Sequence, residues 1–212
     1  YAIVLSNTAN EQIRQMTENC LNSMHLTTDA WVKTCVVETN PNADVYKPHH
    51  TIYPKEKFNY NRFVNYGFFA IPDDADYVGI FNNDLVFHSD WLDVAISKDN
   101  LWDSFSPVSP NWVHHKSVDK DTYGWGIGHQ YCGWAIVMKK EFADKLFPLD
   151  EQFEFWCQDN DMAIQSEKLG MRHLLIHDSK VTHLFSKSHT LVDDMKHATE
   201  GMVKRFNEKY GR

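Results

Sequence analysis

Short apolar runs alternate with helical patterns along this 212-residue chain, and that alternation constrains the fold more than any other feature. Residues 1–5 are an apolar run that predicts a buried strand, and residues 31–38, rich in Val, predict another. Between them, residues 13–24 repeat apolar side chains on one helical face. A strand, a helix and a strand in succession are typical of a parallel βαβ unit. The sequence therefore predicts an α/β fold with a Rossmann-like, mostly parallel central sheet flanked by helices.

The same patterns continue to the end of the chain without an internal repeat or a low-complexity linker. Thr8 and Glu11 have the spacing of a capping box at the start of the first helix, and Ser89 has the position of a cap for a short helix. Further strands are predicted at residues 76–81, 104–108, 132–138, 171–176 and 180–184, and further helices at 58–71, 139–147, 158–169 and 190–210. We expect one domain over residues 1–212, with a C-terminal helix at 190–212 packed on it.

Composition narrows the classes of function. A formal net charge of −8 argues against a protein that grips phosphate backbones by bulk electrostatics. The four cysteines are widely spaced, form no C-x-x-C motif and are interpreted as small apolar residues, which favours a reducing compartment. No apolar run approaches the length of about 20 residues that spans a bilayer. We therefore expect a cytoplasmic protein without a membrane span.

Three polar loops follow three of the predicted strands, at Ser6, Glu38 and Asn82. In open α/β sheets, ligands bind beyond the carboxyl ends of the strands. The three loops are therefore expected to converge on one cleft.

Asp84 ends the polar segment of one of these loops and is followed by the apolar residues 85–87. A carboxylate held at a strand end is suited to a hard cation such as Mg²⁺ or Mn²⁺, which commonly binds one or two carboxylates together with substrate phosphates. The alternative is a simple turn, because Asn and Asp favour turns.

A second cluster opens the helix at residues 158–169, where Asp159 and Asp161 lie near the helix N-terminus. The helix dipole and its free N–H groups stabilise anions at this end, so the alternative to a catalytic role is helix capping. His183 follows late in the chain at the end of a predicted strand. A lone His is usually structural, although a neutral imidazole can also complete a metal site.

Taken in order, these segments resemble the blocks of family 2 glycosyltransferases. Residues 76–84, with 89–92 after them, are similar to the block that carries that family's variant of the D-x-D motif, here N-x-D. Residues 132–140, 147–153, 158–161 and 181–183, together with Gly170, resemble the downstream blocks in the right sequence. The likeness covers roughly residues 1–185.

The resemblance implies a GT-A fold, a nucleoside-diphosphate sugar donor with UDP favoured, an inverting displacement and a divalent metal, Mn²⁺ or Mg²⁺. It also implies roles for individual residues. Ser6 and Thr8 would line the nucleotide pocket, Glu38 would read the base, Asn82 and Asn83 would face the ribose and diphosphate, and Gly133 and Trp134 would border the donor sugar and acceptor. Asp84 and His183 would hold the metal, and Asp159 would be the general base.

The acceptor is left open by the sequence. A glycan hydroxyl is the default, with an aromatic platform sought among Trp112, Tyr123, Trp125, Tyr131 and Trp156. A hydroxylated nucleobase in DNA is the second option and would rely on a basic cluster at His114, His115, Lys116 and Lys120. Two rivals from other classes are a non-catalytic nucleotide-sugar or carbohydrate-binding module and a metal-dependent phosphoesterase, the latter requiring several acidic ligands.

Overall fold

The computed structural model describes residues 1–185 and 195–211, with side chains described up to 185 and from 200 to 211. Its strands are β1 (Ala2–Ser6), β2 (Thr34–Glu38), β3 (His50–Ile52), β4 (Tyr77–Asn82), β5 (Leu85–Phe87), β6 (Ser104–Val108), β7 (Thr122–Tyr123), β8 (Ala135–Lys139) and β9 (His173–His183). Its helices are α1 (Glu11–Leu26), α2 (Tyr60–Phe69), α3 (Trp91–Ile96), α4 (Lys140–Leu146), α5 (Gln158–Lys168) and α6 (Met195–Tyr210). Two single 3-10 turns lie at Asp99–Leu101 and Val113–His115.

Within the described residues, the strands form one sheet in the order β3-β2-β1-β4-β8-β6-β9-β5, with β7 paired to β9. The four strands from β3 to β4 are mutually parallel, as the βαβ pattern predicts. β8 then enters antiparallel between β4 and β6, and β9 runs parallel to β6. β5 and β7 add two short antiparallel pairings to β9. The α/β prediction is confirmed, and the sheet is mixed because half of its pairings are antiparallel.

Helices cover both faces of this sheet. Along β1, Ala2 and Val4 point into the core that α1 and α3 cover, whereas Ile3 and Leu5 point into the core under α2, α4 and α5. This two-sided burial explains why the first strand is a continuous apolar run. Without helices on both faces, each face of the sheet would leave a row of large apolar side chains in water.

The helix boundaries differ from the sequence prediction where capping chemistry decides them. α1 is capped by Asn10, whose side chain accepts the N–H of Ile13, so Thr8 is not the cap. α2 is likewise capped by Asn59. In the predicted C-terminal helix, α6 begins at Met195 within the described chain, and Leu191 of the predicted apolar face lies outside the described residues.

The sheet register brings the three predicted polar loops to one edge. Ser6 is directly opposite Glu38, and Leu5 is opposite Asn82, so the ends of β1, β2 and β4 are neighbours. The convergence that the sequence predicts is therefore observed. No helix in the described part of the chain is long and apolar enough to cross a membrane.

Candidate active site

A network of hydroxyl groups links the ends of β1 and β4. Ser6 Oγ lies 3.2 Å from Thr17 Oγ1 and 3.3 Å from both Thr8 Oγ1 and the Tyr46 hydroxyl. Asn83 Nδ2 donates to Thr17 Oγ1 over 2.9 Å. The Asn83 side chain therefore points toward α1, and its predicted contact with the ribose and diphosphate would have to come from its backbone.

Glu38 is fully buried and its carboxylate is engaged by the loops around it. It accepts hydrogen bonds from the Thr8 N–H at 3.0 Å, the Thr8 hydroxyl at 2.7 Å and the Asn40 N–H at 2.7 Å. A carboxylate offers about four acceptor positions, so three are occupied. The geometry gives Glu38 a positioning role for Thr8 and Asn40, and its predicted reading of a base stays a prediction.

The strand pairing of β5 with β9 brings Asp84 and His183 together. Leu85 lies opposite His183 in this pairing, and the Leu184 N–H donates to the Asp84 carbonyl at 2.9 Å. Asp84 Oδ1 is 3.3 Å from His183 Nε2, and the two residues are 3% and 9% exposed. The two predicted metal ligands, ninety-nine residues apart in sequence, are thus neighbours at one edge of the sheet.

His183 is held from several sides. The His183 backbone N–H donates a hydrogen bond to Ser109 Oγ at 3.1 Å, and the His183 backbone carbonyl accepts one from Asn111 Nδ2 at 2.6 Å. Its imidazole stacks on the Trp134 indole with 5.2 Å between ring centroids and 27° between planes. The ring orientation toward Asp84 is therefore set by backbone anchoring together with stacking.

The Asp84–His183 pair could hold a divalent cation whose remaining coordination positions are filled by a substrate. An oxygen and a nitrogen 3.3 Å apart can share one ion with bonds of roughly 2.0–2.2 Å. Within the described residues, no group of three or more His, Cys, Asp or Glu side chains converges as a metal site. With two protein ligands, the remaining coordination positions of a bound cation would be left to substrate phosphates and water.

Asp159 lies in the first turn of α5, next to Gly133. Its Oδ1 accepts the N–H of Asn160 at 2.9 Å. A Cβ at Gly133 would lie 2.9 Å from Asp159 Cβ and 3.0 Å from its Oδ2, so a larger residue there would displace the carboxylate. Gly133 thus packs against Asp159, while its neighbour Trp134 stacks on His183.

Burial raises the pKa of the Asp159 carboxyl above its ordinary value, although the N–H of Asn160 opposes the shift. Burial also raises the pKa of the Tyr60 hydroxyl, and the Asp159 carboxylate raises it further. Among the described side chains, no cation pairs with Asp159 to lower its pKa. A desolvated carboxylate of this kind is suited to accept a proton.

The other acidic candidates of this region are already engaged. Lys209 Nζ lies 2.6 Å from Asp161 Oδ1 and 2.7 Å from Asp150 Oδ2. The Tyr210 hydroxyl donates to Asp161 at 2.5 Å. Asp161 and Asp150 therefore attach α6 to the start of α5, whereas Asp159 has no cationic partner among the described side chains.

Two predicted surface clusters are not assembled as the sequence suggested. In the basic cluster, His115 is buried, accepts the Ser109 N–H through Nδ1 at 2.9 Å and donates to the His129 carbonyl at 2.7 Å, so it is not available to a phosphate. In the aromatic set, Tyr131 is fully buried, and the Tyr123 hydroxyl is bonded to the Leu101 carbonyl at 2.7 Å. Trp112 is half-buried, and its ring packs against Phe185, which in turn packs against the His183 ring.

Sequence reasoning missed Thr17 and Tyr46, which complete the hydroxyl network, and Tyr60 beside Asp159. Thr17 is a polar residue on the apolar face of α1, a signal that could have identified it. Tyr46 lies in an irregular loop with no periodic pattern, so no local signal marks it.

No known family pattern and no curated protein sequence matches this chain. Solved structures do match. GalNAc-T7 with UDP, GalNAc and Mn²⁺ has a TM-score of 0.64 at 9% identity, covering 86% of this chain, which spans only 42% of the length of that one. The catalytic domain of Drosophila β1,4-galactosyltransferase 7 with xylobiose has a TM-score of 0.58 at 14% identity, covering 96% and 79% of the two chains.

The inositol-1-phosphate CTP transferase from T. maritima also has a TM-score of 0.58, at 13% identity over 96% of this chain and 94% of that one. At these identities the likeness concerns the fold and not the activity. The chain therefore has the mixed α/β architecture of GT-A glycosyltransferases.

Proposed function

We propose that this protein is a metal-dependent glycosyltransferase that moves a sugar from a nucleoside-diphosphate sugar to an acceptor hydroxyl. The observation that carries the proposal is that the Gly133–Trp134 segment contacts Asp159 through Gly133 and His183, the neighbour of Asp84, through Trp134. In this proposal, Asp84 and His183 would hold the metal beside the diphosphate, and Asp159 would act as the general base. A UDP-sugar is favoured because the similar GalNAc-T7 structure was solved with UDP and Mn²⁺.

The donor would bind across the ends of β1, β2 and β4. Ser6 and Thr8 are held in place by Glu38 and the hydroxyl network, so the loop that meets the nucleotide is ordered before binding. Asp84 and His183 would hold Mn²⁺ or Mg²⁺ together with the diphosphate. The metal, when bound, neutralises the charge that develops on the departing diphosphate.

Asp159 would act on the acceptor side. Its carboxylate accepts the proton of the acceptor hydroxyl while that oxygen forms a bond to the anomeric carbon, and the bond from this carbon to the diphosphate oxygen breaks. The products are the glycosylated acceptor and the free nucleoside diphosphate. A single displacement with one base inverts the configuration at the anomeric carbon.

Product analysis tests the proposal. The purified protein is incubated with UDP-, GDP- and CDP-sugars, Mn²⁺ and a panel of glycan acceptors, and nucleoside diphosphate release and acceptor mass are both measured. We expect one nucleoside diphosphate to be released for each sugar gained by an acceptor. Donor hydrolysis without any transfer to glycans would contradict an acceptor of this class.

The same assay separates the other readings. Donor binding with no product would favour a non-catalytic binding module, and phosphate-ester cleavage without sugar transfer would favour a phosphoesterase. Transfer to DNA carrying a hydroxymethylated base would favour the nucleobase acceptor. Release of pyrophosphate from a nucleoside triphosphate would favour nucleotidyl transfer, the activity in the name of the similar T. maritima enzyme.

A further inference from the structure

A row of aromatic side chains leads away from the Asp84–His183 pair. Neighbouring ring centroids are separated by 5.2 Å, 4.3 Å, 5.2 Å, 5.4 Å and 4.1 Å. These rings, here called the aromatic row, belong in order to Trp134, His183, Phe185, Trp112, His114 and His129. The row is assembled from three separate chain segments, so it depends on the fold and not on a local motif.

Exposure differs among the rings of the aromatic row, and Trp134 and Trp112 are half-buried. His183 is 9% exposed, whereas Phe185 is 40% exposed and His114 and His129 are exposed. A core cluster would instead be buried throughout. The row therefore forms a surface that runs from the proposed reaction site into solvent.

The middle of the aromatic row is held in a defined orientation. The Trp112 indole N–H donates to the Gly128 carbonyl at 2.5 Å, which fixes the plane of its ring. Phe185 has a φ of 52°, a left-handed conformation that is unusual for a bulky residue and occurs preferentially at ligand clamps and active sites. Rigid aromatic side chains bind ligands with little loss of conformational entropy.

The chemistry of the aromatic row matches a carbohydrate. Aromatic faces pack against the C–H faces of sugar rings, while a few polar groups orient the hydroxyl edges. The exposed imidazoles of His114 and His129 make no side-chain hydrogen bond with the described residues, so their nitrogens are available to hydroxyl groups. A polyanion fits less well, because the chain carries a net charge of −8 and His115 of the nearby basic cluster is buried.

We propose that the aromatic row is an extended acceptor subsite that binds a glycan of at least two sugar rings, an inference that rests on the proposed transferase function. A sugar at the reacting position lies beside Asp159 and Trp134. Phe185 and Trp112 lie one and two rings beyond His183 and contact the sugars that follow in the chain. The enzyme thus selects oligosaccharide acceptors over monosaccharides.

The test compares acceptors that differ only in length. Xylo-oligosaccharides and chito-oligosaccharides of one, two and three rings are titrated against the parent protein with UDP and Mn²⁺ by calorimetry, and their KM values are measured in transfer assays. In at least one series, affinity should rise roughly 2- to 10-fold for each ring added beyond the first. The variants Trp112→Ala and Phe185→Leu should lose this gain and keep the affinity for a single ring. Phe185→Leu keeps the apolar volume, so it retains the fold if Trp112→Ala does not.

Trp31→Ala is the matched control, since Trp31 is 84% exposed and precedes β2, which is five strands away from β9 in the sheet. It should leave the length dependence unchanged. Equal affinity of the parent for one, two and three rings in both series would overturn the extended subsite, as would a gain that survives both row variants. Binding of oligo(dT) that is lost in Trp112→Ala would overturn it in favour of a nucleic acid. UDP binding and donor hydrolysis are measured in the parent and in every variant. Their absence in the parent would instead mean failure of the proposed function.

Discussion

Asp159 and Asp161 lie two residues apart in the first turn of α5, but their surroundings differ. Asp161 is 4% exposed and accepts hydrogen bonds from Lys209 and Tyr210, which commit its carboxylate to the attachment of α6. Asp159 faces Gly133 and is half-buried without a cationic partner among the described side chains. Helix position alone would stabilise both as anions, so the tertiary partners decide which one is available for catalysis.

Asparagine substitutions at the two positions are expected to have opposite consequences. Asp159→Asn keeps the side-chain size and removes the proton acceptor, so turnover should fall about 100- to 10,000-fold while donor affinity stays within a few-fold. Asp161→Asn should retain near-parental turnover and lose about 1–3 kcal/mol of unfolding free energy, because buried charge-assisted hydrogen bonds are weakened. Transfer assays, nucleotide titration and urea unfolding measure these effects. Near-parental turnover of Asp159→Asn would remove it as the base.

The raised pKa of Asp159 predicts a pH dependence of both turnover and stability. Because the base works only when ionised, the acidic limb of the turnover profile should lie above the ordinary Asp value of about 3.9. A folded-state pKa above the unfolded value means that stability falls as pH rises between the two values, since ionisation is disfavoured by burial. Asp159→Asn should therefore melt above the parent at pH 7, and the difference should vanish near about pH 3. A parental melting temperature at both pH values would show that the carboxylate is not desolvated.

At the scale of elements, the long periodic segments were predictable and the short edge segments were not. The apolar pattern predicts β6 with its observed bounds. It also predicts α5 to within one residue, because Gly170 marks the end of that helix. β5 and β7 were missed since three and two residues carry no period, yet the β5 pairing is what joins Asp84 to His183. β8 was predicted as a strand, but its antiparallel direction is a property of chain topology that no local pattern encodes.

The same scale explains which site residues could be predicted. Asp84, Asp159 and His183 stand at element ends, where polar residues interrupt apolar runs, and the structure links them through the Gly133–Trp134 segment. The engagement of Glu38 with Thr8 and Asn40, and of Asp161 with Lys209, depends on contacts between segments far apart in the chain. Such contacts are set by packing and cannot be derived from the spacing of residues.

α6 attaches to α5, the helix that carries the proposed general base Asp159. Lys209 bridges Asp161 and Asp150, and the Asp161 side chain is only 6% exposed, so removal of the Lys209 cation would leave a buried carboxylate without its charge partner. The Tyr210 hydroxyl also accepts a hydrogen bond from Gln165 Nε2 at 2.9 Å, so two turns of α5 contact α6. The position of Asp159 relative to Gly133 therefore depends on a helix near the end of the described chain.

Lys209→Ala is expected to lower both stability and turnover. The substitution leaves Asp161 buried without its cation, which should cost about 1–3 kcal/mol of unfolding free energy, and it frees the start of α5. We expect kcat to fall while the donor KM changes little, because the proposed donor site lies across β1, β2 and β4. Lys209→Arg should restore most of both, since it keeps the charge. Lys204→Ala is the control on the same helix, as its pair with Glu208 is exposed; an equal loss of kcat in Lys204→Ala would contradict a specific role for the bridge.

For the whole molecule, the carboxyl edge of the parallel strands gathers side chains from most of the chain. Ser6, Asp84, Asp159 and His183 come from the first strand, the middle, the second half and the last strand of the described sheet. Because the proposed cation site has two protein ligands among the described residues, metal and diphosphate should depend on each other for binding. Ligand binding at such a site couples to the unfolding of the entire domain.

That coupling predicts a metal-dependent thermal stabilisation by UDP. At a ligand concentration 100 times Kd, binding to the folded state contributes about 2.7 kcal/mol, or roughly 5–10 °C in melting temperature for a domain of this size. With UDP and Mn²⁺ the parent should show this shift, and with UDP and EDTA the shift should largely disappear, because the diphosphate would then face the uncompensated Asp84 carboxylate. Asp84→Asn should lose most of the shift in Mn²⁺, whereas Asp73→Asn, at an exposed position before β4, should keep it. A parental shift that persists both in EDTA and in Asp84→Asn would show that the nucleotide binds without a metal at this position.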